Sequence, residues 1–258
     1  MPTPSRSRCF GSWTSLRARS DTSARSVVID ALPESAGAYG DQWAVVAVDV
    51  MRATTTAVSI VWSGRRCLPV PSLEAARAVA ARLEDPLLVG ELGGHLPEGF
   101  DVQNSPTAME ARDDLERPAV LLSSSGTRLF HEAASAGAVY AASLRNVIAQ
   151  VVHLAAHHPR VAVIGAGSKG EFREEDQLGC ARIAAGLLDA GYRAGDRRTR
   201  ELVERWRDAP VEVCAHGRSA EYLRQTGQLE DLEFVVTHID DVDGVFRFEE
   251  GELRQVPR

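Results

Sequence analysis

Residues 45–56, Val-Val-Ala-Val-Asp-Val-Met-Arg-Ala-Thr-Thr-Thr, carry the clearest chemical signal in the chain. Apolar β-formers lead to one carboxylate, a guanidinium follows three residues later, and three threonines open the next helix. Asp49 at the carboxyl end of a buried strand can hold a hard cation, while Arg52 and the first helical amides sit where an anion would bind. An acid and a base removed from water at one strand end are costly unless a ligand or metal completes the set. The pattern points to chemistry on a phosphorylated small molecule.

Comparable polar turns recur downstream. Residues 87–89 run into Gly90-Glu91-Leu92-Gly93-Gly94, and residues 119–123 into Ser124-Ser125-Gly126-Thr127-Arg128. Residues 161–164 run into Gly165-Ala166-Gly167-Ser168-Lys169-Gly170, followed by Glu174-Glu175-Asp176. Each has an ordinary explanation alone. Asp49 could cap its helix, Glu91 could be a solvated loop residue, the serines an N-cap cluster, and the acidic triplet a first helical turn suited to the dipole. Recurrence at successive strand ends carries the weight, because in a parallel sheet all four turns face one crevice.

The elements that must hold these turns alternate along the chain. Apolar runs at 43–50, 66–70, 87–89, 119–123, 138–141 and 161–164 are separated by Ala- and Leu-rich stretches at 54–62, 73–83, 127–136, 145–157 and 177–190. Such alternation predicts an α/β fold, a mainly parallel sheet flanked by helices. After residue 194 a C-terminal α+β portion is expected: helices at 197–207 and 215–225, a strand at 232–238, and a hairpin over 245–256 turning at Glu250-Gly251. No repeat or linker divides the chain, so residues 27–258 read as one domain or two intimate subdomains. The loop at 90–105 is long enough to suggest a functional role. The first 26 residues, where arginines alternate with serines, resemble a transit peptide but read better as a disordered tail or a mis-called start.

Composition narrows the partners. A formal charge of −7 over 258 residues argues against nucleic acid or an anionic membrane surface. No apolar run reaches membrane-spanning length. Cys9, Cys67, Cys180 and Cys214 are scattered without a CxxC pair, as suits a reducing cytoplasm. A phosphorylated small molecule is compatible with this charge, and a homo-oligomer stays open. Lys169 is the single lysine among 29 Lys and Arg residues. The near-absence of lysine reads as a coding bias toward arginine and not as physics, yet it makes Lys169 worth a look because arginine serves everywhere else.

Several schemes fail on spacing. Gly165-x-Gly167-x-x-Gly170 matches a dinucleotide fingerprint only formally: it comes late in the chain, precedes a polar segment, and no strand-ending acid follows about 20 residues on. No Gly-Lys-Ser/Thr makes a Walker A loop. Ala47 and Met51 flank Asp49 at the positions where an Asp-x-Asp phosphatase needs its second aspartate, and no cysteine begins a Cys-x5-Arg. Metal-assisted hydrolysis by dispersed carboxylates remains. His216, in His216-Gly217-Arg218, reads equally as a core contact or a crevice-lining group.

Taken in order, Asp49-Val50-Met51-Arg52-Ala53-Thr54, Gly90-Glu91-x-Gly93-Gly94, Gly99-Phe100-Asp101-x-x-Asn104-Ser105-Pro106, the Ser125-Gly126-Thr127 turn, Ala166-Gly167 with Glu175-Asp176, and His216-Gly217 resemble the 2-phosphosulfolactate phosphatase (ComB) family. The resemblance runs from about residue 27 to the C-terminus. It implies a Mg2+-dependent phosphoric monoester hydrolase that converts 2-phosphosulfolactate to sulfolactate and phosphate, a step toward coenzyme M. Carried over by motif, Asp49, Glu91 and Asp176 would ligate Mg2+ and form the catalytic set with Arg52. Arg52, Asn104, Ser105, Ser125, Gly126 and Thr127 would contact the substrate, a small phosphorylated acid.

Departures cluster around the substrate. Leu92 stands where the family has arginine, Gln103 where it has glycine, and Ser124-Ser125 where it has Thr-Asn; Gly165 replaces a cysteine and Cys214 a serine. Losing one guanidinium–anion bond costs about 1.5–3 kcal/mol, enough to alter substrate preference while the carboxylate chemistry persists. The alternative is a non-catalytic binding protein for a phosphorylated metabolite, with a drifted site. Whether water or a carboxylate attacks stays open at the sequence level.

Overall fold

A computed structural model describes residues 25–257, so the reading of the N-terminal tail through residue 24 lies outside the described residues. Ten strands form one sheet: β1 (Ser26–Ala31), β2 (Ala44–Val48), β3 (Cys67–Val70), β4 (Leu87–Gly90), β5 (Ala119–Leu122), β6 (Ala138–Ala142), β7 (Arg160–Gly165), β8 (Arg193–Ala194), β9 (Phe246–Glu249) and β10 (Glu252–Gln255). Their order is β4-β5-β3-β10-β9-β6-β2-β7-β1-β8. Helices α1 (Ala53–Trp62), α2 (Leu73–Ala80), α3 (Pro106–Glu110), α4 (Gly126–Glu132), α5 (Val147–His157), α6 (Glu174–Asp189) and α7 (Arg197–Trp206) lie along the chain after them. Helices α8 (Arg218–Gln225) and α9 (Leu229–Thr237) precede the final hairpin. The α/β class is as expected. No helix among the described residues is long and apolar enough to cross a membrane.

Two parallel blocks make up the sheet, β6-β2-β7-β1-β8 and β4-β5-β3. Every residue of β2 is buried, as a central strand covered on both faces requires. The C-terminal hairpin does not stand apart. It turns at Glu250 and Gly251, both with positive φ as a two-residue hairpin favours, and slots between β3 and β6 antiparallel to each. Three successive antiparallel pairings make the two parallel blocks run in opposite senses. The joins are short, two paired positions between β6 and β9 and one between β10 and β3, so the sheet can twist sharply there.

That twist builds the core. Val45, Ala47, Ala141 and Ile164 of one block and Cys67, Leu87 and Leu121 of the other meet in a single cluster with Ala57 and Ile60 of α1 and Leu129 and Phe130 of α4. Helix α1 is buried from Ala53 to Ile60. Outside this core, α5, α6 and α7 cover the larger block, and α2 with Phe100 covers the smaller one. Cys67, Cys180 and Cys214 are buried free thiols.

One element differs in kind from its sequence reading. Residues 232–237 are not a strand but part of α9, with His238 as its C-cap, and buried Leu232 and Val235 lie one helical turn apart. A short β-branched run such as Phe-Val-Val-Thr is ambiguous by periodicity alone, and Glu230 and Asp231 in the first turn favour the helix. Strand β1, absent from the apolar runs, pairs with β7 over its whole length.

Phe246 of the hairpin is fully buried in the inner cluster between the two blocks. Phe246→Ala is expected to cost about 3–5 kcal/mol in urea unfolding, with Phe248→Ala, only partly buried, costing clearly less.

Candidate active site

The polar turns do share one cavity, of about 380 Å3. Asp49 and Arg52 reach it from beyond β2, Glu91 from beyond β4, Ser124 and Ser125 from beyond β5, Gly167 to Lys169 from beyond β7, and Glu175 and Asp176 from the start of α6. The opposing wall is α8, through Arg218, Ser219, Tyr222 and Leu223. The single crevice was expected from one parallel edge. It forms instead where two oppositely directed blocks meet. Gly126 permits the contact, since a Cβ there would lie 2.3 Å from Asp49 Oδ2.

Threonines shape both strand ends in the same way. The Asp49 amide donates to Thr54 Oγ1 at 2.8 Å, and the Thr54 hydroxyl returns a bond to the Asp49 carbonyl at 2.9 Å. Beyond β5, the Ser123 amide donates to Thr127 Oγ1 at 2.8 Å and the Thr127 hydroxyl to the Ser123 carbonyl at 3.1 Å. Thr127 is therefore a fully buried brace and not a cavity-lining residue. Ser105 likewise lies outside this cavity: its Oγ caps α3 through the Ala108 amide at 3.1 Å and donates to Asp231 Oδ1 at 2.6 Å. Ser125 and Asn104 do line it, and the buried Asn104 Oδ1 has no hydrogen-bond partner.

Four carboxylates form the floor. Asp49 Oδ1 accepts from the Ala53 amide at 3.2 Å, so the capping explanation holds for one oxygen while Oδ2 remains uncommitted. Asp176 accepts from the Val50 amide at 2.8 Å and the Gly167 amide at 2.9 Å, tying the ends of β2 and β7 together. Glu91 accepts from the Ser124 amide at 2.7 Å and the Gly94 amide at 2.6 Å. Glu175 is buried, and its Oε2 has no partner. Burial pushes the Asp49 carboxyl up to about 7 against the Ala53 amide, and the charges of Glu91 and Glu175 add to it. Burial raises Asp176 too, followed by repulsion from Asp49 and Glu175, and burial also raises Glu175. The floor holds more negative charge than its own groups can balance.

Arg52 was expected as an open anion clamp. Its Nη1 instead pairs with buried Asp231 and donates to Gln228 at 2.5 Å, so part of the fork is already engaged. Asp231 was not legible from sequence because it lies on α9, beside the segment misread as a strand. Glu175 lies within the acidic triplet, from which the sequence reading selects Asp176. His216 is exposed and fits neither alternative, whereas neighbouring Gly217 approaches Glu175, with a Cβ position 3.3 Å from Oε2. Leu92 does not line the cavity and its side chain is exposed beside the cavity-lining Gly93 and Gly94.

The glycines serve turns and not a dinucleotide. Leu92 and His95 exchange backbone bonds around Gly93 and Gly94, at φ 60° and 89°. Ser168 and Glu171 do the same around Lys169 and Gly170, at φ 52° and 76°. A Cβ on Gly167 would meet the Glu171 carbonyl at 2.4 Å.

Among the described residues, no group of three or more His, Cys, Asp or Glu side chains forms a ready metal-holding set. Mg2+ rarely needs one. It is commonly held through one or two carboxylates, with water and substrate oxygens completing the octahedron. Uncommitted Asp49 Oδ2, orphaned Glu175 Oε2 and orphaned Asn104 Oδ1 are hard oxygen donors beside surplus negative charge, and they suit that ion.

Because the Asp49 carboxyl is raised in the folded state, its favourable contribution is complete below about pH 4 and is lost as pH rises through about 7. With chelator present, Asp49→Asn should therefore gain on the wild type by about 2–4 kcal/mol across that window in urea unfolding. A pH-independent difference would remove Asp49 from the repelling set. Asp231→Ala, which strands Arg52 in a buried site, should cost about 3–5 kcal/mol, with the double variant Arg52→Met/Asp231→Leu recovering much of it.

Residues 28–251 match the family described as 2-phosphosulpholactate phosphatase. A Pseudothermotoga lettingae protein named as a probable 2-phosphosulfolactate phosphatase is 32% identical over 228 residues, covering 88% of this chain and 97% of its own. A Thermus thermophilus protein of the same name is 34% identical over 216 residues, covering 80% and 87%. One from Deinococcus radiodurans is 37% identical over 166 residues, covering 63% and 68%. By these matches the chain belongs to the 2-phosphosulpholactate phosphatase family, a family of phosphoric monoester hydrolases.

Proposed function

We propose that the protein is a Mg2+-dependent phosphatase hydrolysing 2-phosphosulfolactate, or a closely related small phosphorylated hydroxy acid, to the hydroxy acid and phosphate. The observation that carries this reading is the floor of buried, mutually repelling carboxylates with an orphaned Glu175 oxygen. Asp49 and Glu175 would hold the ion. Asp176 and Glu91 stand behind them, their oxygens already accepting backbone amides. When bound, Mg2+ neutralises phosphoryl charge and lowers the pKa of a coordinated water.

The chain's own groups orient the ester. Asn104 offers its unpartnered Oδ1 to the ion or to a substrate hydroxyl, and Ser125 offers a hydroxyl at the cavity wall. Arg52, held in place by Asp231 and Gln228, presents the rest of its guanidinium to anionic oxygens. Helix α8 covers the cavity opposite the strand ends and limits access of bulk water.

Phosphate release from 2-phosphosulfolactate, measured with Mg2+ and with EDTA, tests the reading. Removing the ion, or introducing Asp49→Asn or Glu175→Gln, should lower kcat by about 100-fold or more. Full turnover in chelator would sink the metal role. Ligand-induced thermal stabilisation with no phosphate release would instead support the non-catalytic binding protein.

A further inference from the structure

Lys169, Arg173 and Arg218 line the same cavity as a basic rim beside the acidic floor, with Arg173 near enough to Glu175 to oppose the burial that raises its carboxyl. Glu171 bridges two of them: Arg173 Nη1 donates to its Oε2 at 2.7 Å, and Arg218 Nη1 donates to Oε1 and Oε2 at 2.5 and 2.6 Å. One carboxylate among three cations leaves this rim positive. Lys169 makes no ion pair with any described residue. Arg173 is only 12% exposed in its side chain, and its buried Nε has no partner.

Lys169 also sits where the backbone does not want it. The turn at 92–95 and the turn at 168–171 are both two-residue turns with positive φ at each central position. The first uses Gly93 and Gly94, the residues such a turn prefers. The second puts a side chain, Lys169, at φ 52°. Glu250 holds the same position at φ 52° in the C-terminal hairpin turn, so the backbone conformation by itself assigns no role to Lys169. What sets Lys169 apart is its place: its turn lines the cavity, and its side chain is exposed and forms no ion pair with a described residue.

We propose that Lys169, Arg173 and Arg218 form a second anion subsite that recognises the acid group, sulfonate or carboxylate, carried by the substrate in addition to its phosphate ester. The assignment rests on the phosphatase reading for its substrate class. It divides the cavity into a floor that takes the ester and a rim that takes the remaining charge. Arg173, little exposed and paired with Glu171, supplies the positioned donor, exposed Arg218 adds a second guanidinium, and Lys169 supplies an unneutralised charge that selects esters carrying a further acid group over esters with none.

Steady-state kinetics on 2-phosphosulfolactate, 2-phospholactate and p-nitrophenyl phosphate, with Mg2+ present, test this. Lys169→Met should raise KM for 2-phosphosulfolactate about tenfold with kcat changed less than about twofold, and lower its preference over p-nitrophenyl phosphate by a similar factor. Lys169→Arg should restore most of the loss. A larger effect on 2-phosphosulfolactate than on 2-phospholactate assigns the sulfonate to the rim, and equal effects on those two assign the carboxylate. Lys169→Gly gives a readout that a structural lysine would not: melting temperature should rise while KM also rises. Equal losses on all three esters, a loss in kcat alone, or Lys169→Arg behaving like Lys169→Met would overturn the subsite. Calorimetric binding of sulfolactate, which has both acid groups and no phosphate ester, separates the two failures. If no ester is hydrolysed, about tenfold weaker sulfolactate binding by Lys169→Met still upholds the subsite, and unchanged binding ends it.

Discussion

Repulsion among Asp49, Glu175 and Asp176 is the interaction around which the strand ends are built. Burial alone would drive three carboxylates apart or keep them protonated. They stay together because backbone amides hold them: Ala53 for Asp49, Val50 and Gly167 for Asp176. The turn that presents the Val50 and Ala53 amides is braced from within by the hydroxyls of Thr54 and Thr55. One oxygen of Asp49 and the buried Oε2 of Glu175 lack such support, so the imbalance concentrates on those two atoms. Floor, braces and cation-seeking oxygens are consequences of one electrostatic constraint.

The sheet makes that constraint possible by an indirect route. Two parallel blocks of opposite direction could not share a carboxyl edge in a flat sheet. The C-terminal hairpin joins them through short ladders, and the resulting twist wraps both around α1. A segment at the very end of the chain thus determines how residues near position 49 and near position 125 meet. Buried Asp231 on α9 repeats the theme by gripping Arg52 across 179 residues of sequence.

Much of this was legible in the sequence. Fully apolar runs such as Ala-Val-Val-Ala-Val and Ala-Val-Leu-Leu identify buried parallel strands, and the polar residues just past them identify the site. Hydroxyls were harder. Ser105 and Thr127 have the residue types of ligand contacts, yet both turn inward to backbone or carboxylate partners, a choice set by neighbours that local sequence does not name. The pairing of the hairpin with β3 and β6, and the grip of Asp231 on Arg52, depend on contacts distant in sequence. The short run at 232–238 was misread because its β-branched residues suit either period, and packing decided it.

Tyr222 closes the cavity wall by occupying space that Gly94 leaves free. Its hydroxyl donates to the Gly94 carbonyl at 2.7 Å, and a Cβ on Gly94 would lie 2.1 Å from the phenol oxygen. Neither residue can drift alone. A larger residue at 94 evicts the ring, and a smaller residue at 222 opens a hole beside the glycine turn. In the descent of this chain the two positions should behave as one inherited character, changing jointly or not at all.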